Sequence, residues 1–403
     1  MATMTTEATA TQAAEKPLPG SLSSRVKAIL PAIEALVPKG EKERKAPQEL
    51  LDLFTEVGFW RHFVPKHFGG TEGSVYDWLQ AVRLVGSVDM SAAWTVGLAS
   101  CHAPPYTSFD ERVQEEMWGN NPDMITGTAG APPAQATKVD DGVVLNGRLH
   151  FASGCDHADW LCAYYIGEDE TGTPCRWGGM MPRGDYRIED TWFVSGMRAT
   201  GSNTVVLENV FIPDYRTAPF PIGAAGPIGR TNAANLYRLS HWALFASAFG
   251  PLLIGGMEAA LRIAGDAMQK KVSAGTGKLG AESVPAQQRY AECLLKAQAA
   301  TALIDTRWRE MDEQANKGEM ETLETFHRWK AIDWYVAQTA TEVVEALMNA
   351  ASPSAHYDNF PLQRFWRDIH VASRHTFLDT DTTLQTFVRH RLGLPRDKSL
   401  MFG

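Results

Sequence analysis

The sequence predicts a mainly α-helical protein with a β domain in the middle of the chain. Apolar residues recur at helical spacing through residues 22–123, and again in four long segments after residue 236. Between these regions, residues 124–217 form short runs rich in Val, Ile, Tyr, Trp and Thr, separated by Gly, Asp and Pro. Few globular architectures share this order of helices, then strands, then a helical bundle.

The predicted N-terminal helical domain, residues 22–123, follows a tail that is rich in Ala, Thr and Glu. Residues 1–21 lack the basic start and apolar core of a signal peptide, and we expect them to be disordered. Pro31 is expected to interrupt the first helix, and Gly58 to end the second. The expected helices cover residues 22–38, 47–57, 74–100 and 110–118.

A segment rich in Gly, Pro and Ala joins the β domain to the C-terminal bundle. Within residues 124–217, the dipeptide Asp141-Gly142 is a turn signal typical of hairpins. Residues 218–235 are interpreted as a linker or a mobile lid. Residues 236–403 are predicted to form an up-and-down helical bundle. Its helices are expected at residues 237–271, 284–317, 321–350 and 362–388.

The composition excludes several classes of function. A net charge of −9 over 403 residues gives no basic footprint for nucleic acid. The five cysteines are scattered and form no CxxC pair, so neither a disulfide framework nor a metal site is expected, and a reducing cytoplasm is favoured. We see no apolar run of the ~18 residues that a membrane span needs, and expect no membrane association.

Two segments of the β domain are candidates for binding a flat ligand. Thr126 and Thr128 lie among small residues that would let such a ligand approach the backbone, although an ordinary β-turn is the more common role on composition alone. Ser153 and Gly154 follow a run that ends in an aromatic residue. The serine could hydrogen-bond a ring atom of a planar cofactor, or it could cap a turn between strands, and the residues leave both open.

Two histidines are candidates for acid–base chemistry. His102 comes just after the helix that carries Trp94, where a structural hydrogen bond is the more common role. His375 lies in a helical segment beside Arg367 and Arg374, whose charges by default form ion pairs on a helix surface. Taken alone, each histidine is more often structural than catalytic.

Residues 275–280 match Gly-x-Gly-x-x-Gly letter for letter, but this signature binds dinucleotides only between a strand and a helix. Here it lies between two helical segments, so we predict an interhelical loop.

Two motifs give the chain a family resemblance. Residues 192–213 contain Gly196-Met197-Arg198, small polar residues and a strand that ends in Ile-Pro, and residues 364–368 read Arg-Phe-Trp-Arg-Asp. Together with the domain order, these motifs resemble the acyl-CoA dehydrogenase superfamily. The resemblance covers nearly the whole chain from about residue 22. It implies an N-terminal helical domain, a β-barrel or sandwich middle domain and a C-terminal four-helix bundle.

One position separates the branches of this superfamily. Many of its dehydrogenases carry a catalytic Glu eight residues after the Asp of this Arg-Asp pair. Here that position is Thr376, no carboxylate occurs between Asp368 and Asp379, and His375 stands one residue earlier. This pattern is similar to the two-component flavin-dependent monooxygenases, which include the oxygenase components of p-hydroxyphenylacetate hydroxylase and of the steroid-degrading phenol hydroxylase.

The resemblance implies an oxygenase component that receives reduced flavin from a separate NAD(P)H:flavin reductase. FMN is expected more than FAD. The reduced flavin and dioxygen would hydroxylate an aromatic substrate, expected to be a phenol, through a flavin C4a-hydroperoxide. A homotetramer is usual in this superfamily. The alternatives are oxygenation of sulfur or nitrogen on the same scaffold, and a flavin dehydrogenase acting on an acyl-CoA.

The resemblance also implies roles for individual residues. His375 would be the acid–base group, His102 would contact the substrate hydroxyl or the flavin-bound oxygen, and Ser153 would hydrogen-bond near the flavin N5. The remaining flavin contacts are expected from the β domain, from a tryptophan that forms a wall of the pocket and from a basic residue near the cofactor phosphates. These cofactor-binding residues are Trp94, Thr126, Thr128, Gly154 and Arg289.

Overall fold

A computed structural model describes most of the chain. The described residues are 18–168, 172, 174–220, 234–272, 277–351, 353–395 and 397. Most of the expected N-terminal tail, residues 221–233 of the expected linker or lid and residues 273–276 of the Gly-rich segment lie outside them. Within the described part, helices precede and follow a single seven-stranded sheet. This confirms the predicted fold class.

The described N-terminal region is helical. Its helices are α1 Leu22–Glu43, α2 Gln48–Glu56, α3 Val75–Gly86, α4 Met90–Cys101, α5 Ala103–Tyr106 and α6 Glu111–Trp118. Two predictions are corrected: α1 continues through Pro31, and the helix predicted over 74–100 is two helices. Asp89 makes the break, because its carboxylate accepts hydrogen bonds from the backbone N–H groups of Ser91 and Ala92 and so starts a new helix.

The sheet lies between the two helical regions. Its strands are β1 Thr126–Val139, β2 Gly142–Ala152, β3 Trp160–Glu168, β4 Pro174–Pro182, β5 Arg187–Glu189, β6 Asn203–Pro213 and β7 Thr217–Pro219. They are arranged in the order β5-β6-β2-β1-β3-β4-β7, with β1 and β3 parallel and every other pair antiparallel. The start of β1 and the end of β2 place Thr126, Thr128 and Ser153 at the end of the sheet that faces the helices.

The C-terminal helices pack against one another and against the N-terminal helices, and His241 meets the sheet at Tyr164. The C-terminal helices are α7 His241–Ser247, α8 Phe249–Lys270, α9 Val284–Lys317, α10 Leu323–Ala350, α11 Leu362–Ala372 and α12 Thr380–Arg391. Two expected helices are again divided, one at Ala248 and one at residues 373–379. His375 therefore lies in a turn between helices and not inside a long helix, which corrects the prediction and changes which way its ring can point.

The Arg-Phe-Trp-Arg-Asp run fastens α11 to the rest of the molecule. The buried Asp368 carboxylate accepts a hydrogen bond from the Met197 backbone N–H at 2.6 Å. Arg364 donates to the Val88 carbonyl at 2.8 Å. Gly196 passes so close to α11 that an added Cβ would overlap the Arg367 carbonyl, so only glycine fits there. These contacts anchor the helix that ends just before His375.

The stretch His241–Lys270 is long and apolar enough to pass as a membrane span, contrary to the expectation from sequence. However, 89% of its most apolar window is buried inside the protein, as in the core helix of a bundle. The described ends of the Gly-rich segment, including the isolated bridge Val272–Leu279, connect α8 to α9. The segment thus lies between helices, as predicted.

Candidate active site

A cavity of about 450 Å³ lies where α4, one end of the sheet and the turn between α11 and α12 meet. Six of the residues singled out in the sequence line it: Trp94, His102, Thr126, Thr128, Ser153 and His375. A larger groove of about 930 Å³ runs between α1 and α11, and none of the predicted site residues lines it. The smaller cavity is therefore the candidate active site.

Ser153 sits at the end of β2 in a network of polar groups. Its hydroxyl accepts a hydrogen bond from the Trp94 indole N–H at 2.9 Å and shares another with the Ser202 hydroxyl at 2.8 Å. The next residue, Gly154, has a φ of +72°, and its N–H donates to the Thr200 carbonyl at 3.0 Å. A side chain at residue 154 would strain this turn. Gly154 thus shapes the turn that presents Ser153, although it does not itself line the cavity.

The sheet side of the cavity combines hydroxyl groups with aromatic faces. Thr126, Thr128 and Ser202 contribute hydroxyls, while Phe151 and Trp192 contribute rings that contact each other edge to face at 6.2 Å. Phe151 is 68% exposed, which is unusual for so large an apolar side chain in a cavity wall. A planar heteroaromatic ring with polar atoms along its edges, as in a flavin, fits this surface.

His102 lies at the inner end of α4 and is 2% exposed. Its ring is stacked with Tyr106 and Phe245 at centroid distances of 5.8 and 5.9 Å. Burial lowers the pKa of His102 to about 3, an effect that the Thr126 backbone carbonyl only partly opposes. Within the described residues, neither ring nitrogen has a hydrogen-bond partner of normal geometry. Such a buried, neutral imidazole retains an unused acceptor.

His375 begins the turn that follows α11. Its Nδ1 accepts a hydrogen bond from the Phe377 backbone N–H at 3.3 Å, and its ring stacks on Phe249 at 4.3 Å and contacts Trp94 at 5.6 Å. Burial, reinforced by the positive charge of Lys330, lowers its pKa to about 3. A neutral ring whose Nδ1 accepts must carry its proton on Nε2. His375 therefore presents a hydrogen-bond donor.

The sequence reasoning missed the end of the cavity that lies beyond His102. Tyr164 and His241 form a hydrogen bond there at 2.9 Å between the phenol oxygen and Nε2. Arg176, from β4, and Trp242, from α7, line the cavity beside them. Arg176 could have been noticed as a charged residue within a run that otherwise has the pattern of a strand. His241 and Trp242, which follow the expected linker closely, gave no comparable signal.

The other predicted residues occupy different places. Thr126 donates its hydroxyl to the Ala99 carbonyl at 3.2 Å and so ties β1 to α4. Tyr106, near the predicted His102, does not line the cavity and donates its hydroxyl to the Gly127 carbonyl at 3.2 Å. Arg289 is exposed on α9 and also does not line the cavity. Its assignment to the cofactor phosphates stays a prediction that needs a neighbouring subunit.

Comparison with known proteins places this geometry in a family. The model of the acyl-CoA dehydrogenase, C-terminal domain, matches residues 247–380. The chain is 29% identical to the p-hydroxyphenylacetate 3-hydroxylase, oxygenase component, of Acinetobacter baumannii, over 94% of this chain and 91% of that protein. It is 27% identical to the FADH(2)-dependent resorcinol hydroxylase, oxygenase component, of Rhizobium sp. (strain MTP-10005), over 93% and 94%.

The solved structures agree. The crystal structure of the HsaA monooxygenase from M. tuberculosis matches with a TM-score of 0.86 and 27% identity, over 93% of this chain and 98% of that one. The similarity thus extends through all three regions of the fold and includes the elements that line the cavity. The resemblance seen in the sequence is confirmed: along nearly its whole length the chain resembles the acyl-CoA dehydrogenase superfamily, on the branch of the flavin-dependent monooxygenase oxygenase components.

Proposed function

We propose that the protein uses reduced flavin and dioxygen to hydroxylate a phenol, with His102 as the group that accepts the phenol proton. The observation that carries this proposal is the state of His102. Its ring is buried and neutral, and both nitrogens lack a normal hydrogen-bond partner among the described residues, in the same cavity as Ser153. A buried polar group is rarely left without a partner unless a ligand supplies one.

The sheet side of the cavity would hold the flavin. Ser153, Thr126 and Thr128 would hydrogen-bond the edge of its ring, with Trp94 and Trp192 as walls. Bound reduced flavin would supply the two electrons that activate dioxygen. One of the similar proteins, the resorcinol hydroxylase of Rhizobium sp., is named as FADH(2)-dependent. We retain FMN as the expected cofactor, and testing both flavins decides between them.

His102 would act on the substrate. A free phenol has a pKa of about 10, so a neutral ring hydroxyl must share its proton with a positioned base before the ring becomes a strong nucleophile. The partnerless His102 nitrogen is such an acceptor, and positioned general-base help contributes roughly 10²–10⁴-fold. His375, expected from sequence to be the acid–base group, instead has its Nδ1 occupied, so we propose that its Nε2–H donates a hydrogen bond on the cofactor side.

The cavity walls would protect this chemistry from water. The Phe245 ring packs against both histidine rings, with centroid distances of 5.9 Å to His102 and 6.0 Å to His375. Phe249 and Phe377 pack against Phe245 on the same side. Aromatic side chains that surround two neutral imidazoles exclude the solvent that would otherwise supply stray protons.

The lining argues against a dehydrogenase. Within the described part of the chain, no Asp or Glu lines the cavity, so the carboxylate base that removes an α-proton from an acyl-CoA has no counterpart. Oxygenation of sulfur or nitrogen remains the second candidate, because neither Ser153 nor His375 distinguishes it. The unused acceptor on His102 favours a substrate with an ionisable hydroxyl.

The proposal includes partners and a setting. Reduced flavin would come from a separate NAD(P)H:flavin reductase. We also propose a homotetramer, without membrane association, in the cytoplasm. Arg289, Leu295 and Leu303 on α9 are exposed and could meet a neighbouring subunit, which would bring Arg289 to a partner's cofactor.

The test is turnover with chemically reduced FMN or FAD, oxygen and a panel of phenols, indoles and thioethers. We expect coupled conversion of phenols to catechol-like products. His102→Gln should keep reduced-flavin binding and lose at least ~10²-fold in product formation. His67→Gln, a change at an exposed histidine, is the control. Unchanged hydroxylation by the His102 variant would remove the proposed base, and conversion of thioethers alone would favour the second candidate.

A further inference from the structure

Arg176 brings a positive charge into the cavity wall. It lies in β4, and its guanidinium carbon sits 5.4 Å from the centre of the Tyr164 ring and 5.6 Å from that of Trp242. The Nε atom is fully buried and has no hydrogen-bond partner among the described residues. Burial lowers the pKa of Arg176, but a guanidinium is so strong a base that it keeps its charge even in such surroundings.

The described residues around this charge offer it no anion. The lining of the cavity contains a second arginine, the exposed Arg374, but no Asp or Glu, and no ion pair to Arg176 occurs within the described residues. A buried charge is costly unless it is paired. Tyr164 cannot pair with it as an anion, because burial raises the pKa of its phenol well above 10. Arg176 is half-buried and, among the described residues, faces no anion, so an anionic ligand in the cavity would supply the counter-charge that the protein does not.

Arg176 lies beyond His102 when the cavity is followed from Ser153. Its neighbour Tyr164 is hydrogen-bonded to His241, whose ring is 6.5 Å from that of His102. A ring that meets His102 with its hydroxyl would therefore point another substituent toward Arg176.

We propose that the substrate carries a carboxylate, and that Arg176 binds it at the end of the cavity formed with Tyr164 and Trp242. The substrate class is thus a phenolic carboxylic acid. This inference rests on the proposed function, since it takes the hydroxyl to be at His102. A guanidinium matches a carboxylate with two parallel N–H donors, and this pairing is stronger than one between neutral groups.

The expected consequence is discrimination between an acid and its amide. The two have nearly the same shape, but only the acid offers an anion to Arg176. Hydrogen bonds to charged groups contribute enough to give roughly 10- to 100-fold tighter binding of the acid. Replacing Arg176 with Met removes the charge while it keeps most of the side chain's volume, and it should abolish this preference. Arg176→Lys keeps a charge but loses the paired donors, and it should retain part of it.

The experiment is isothermal titration calorimetry on the full chain without flavin. The ligands are 4-hydroxybenzoate, 4-hydroxyphenylacetate and 3-(4-hydroxyphenyl)propanoate, each with its amide, because the depth of the site decides which chain length reaches Arg176. Arg183→Met is the matched control. Arg183 is also in the β domain and its guanidinium carbon lies 4.9 Å from the centre of a tyrosine ring, that of Tyr186, but it does not line the cavity. The far-ultraviolet circular dichroism of each variant checks its fold.

The inference is supported if the wild type and the Arg183→Met control bind at least one acid more tightly than its amide and Arg176→Met does not. No preference in the wild type, or one that survives Arg176→Met, overturns it. The phosphate of FMN is another anion that Arg176 could bind, so a parallel titration uses reduced FMN under anaerobic conditions. If Arg176→Met weakens FMN binding but leaves acid binding unchanged, Arg176 binds the cofactor and the inference is wrong. Coupled hydroxylation of neutral phenols in any of these cases would leave the proposed function standing.

Discussion

Replacing His102 with Gln is expected to make the protein less sensitive to acid. The pKa of His102 is about 3 in the folded protein, against about 6.5 for an unperturbed histidine in the unfolded chain. Between these values the unfolded chain binds a proton that the folded protein refuses, so the free energy of unfolding falls as the pH drops below about 6.5. At pH 5 this single group costs about 2 kcal/mol of stability.

Urea denaturation at pH 7.5, 6 and 5 measures this effect. The substitution itself lowers the free energy of unfolding by the same amount at every pH. The wild type alone also loses stability as His102 of its unfolded chain is protonated, so the difference between the two proteins should shrink by about 2 kcal/mol between pH 7.5 and pH 5. Asp368, whose buried carboxyl has a pKa raised to about 7, gives an opposite slope over part of this range, but it is common to both proteins and cancels in the difference. The exposed-site variant His67→Gln should follow the wild type.

Parallel stability curves for the wild type and the His102 variant would refute the reasoning. They would mean that His102 can be protonated in the folded protein at pH 5, so that its ring is solvated or paired. The assignment of His102 as a neutral proton acceptor would then fall with it.

Three further changes test the rest of the site. Ser153→Ala removes the partner of the Trp94 indole N–H, so we expect a loss of ~1–3 kcal/mol in stability and more hydrogen peroxide per oxygen consumed; unchanged peroxide yield would remove Ser153 from the flavin site. His375→Ala should uncouple oxygen use from hydroxylation, whereas His375→Gln, which restores an N–H donor but no base, should recover most of the coupling; equal loss in both would point to a base. Gly196→Ala should cost ~1–3 kcal/mol in urea denaturation, because its Cβ would press on Arg367, and a neutral result would show that the loop can move away.

The domain order was predictable because each region keeps one hydrophobic period over many residues. The break within residues 362–388 was not, since this segment contains neither Gly nor Pro. The break before α12 is made by a side chain: Asp379 accepts a hydrogen bond from the Thr382 N–H at 2.9 Å and starts the helix, as Asp89 does for α4. An Asp inside a helical period was therefore the missed signal in both places.

Some residues of the site could likewise be predicted from the sequence, and others could not. Ser153 and His375 were recognisable because they stand at fixed places in motifs of the family. Arg176 was not, because a strand alternates its faces and the sequence alone does not say which face meets a cavity. The difference between base and donor at His375 was also hidden, since it depends on one backbone N–H, that of Phe377.

The positive charges around the cavity act on both partners of a proton transfer. Burial is the main reason that the pKa values of His375 and His241 fall; Lys330 lowers that of His375 further, and His102 and Arg176 lower that of His241, so both imidazoles stay neutral. The pKa of a bound phenol also falls beside a cation, because the cation stabilises the phenolate and makes the phenol a stronger acid. The cavity thus weakens its histidines as bases and strengthens its substrate as an acid. The lower pKa of the phenol favours proton transfer to His102, but the pKa of about 3 that burial gives His102 opposes it, so the transfer depends on how far the cavity lowers the pKa of the bound phenol.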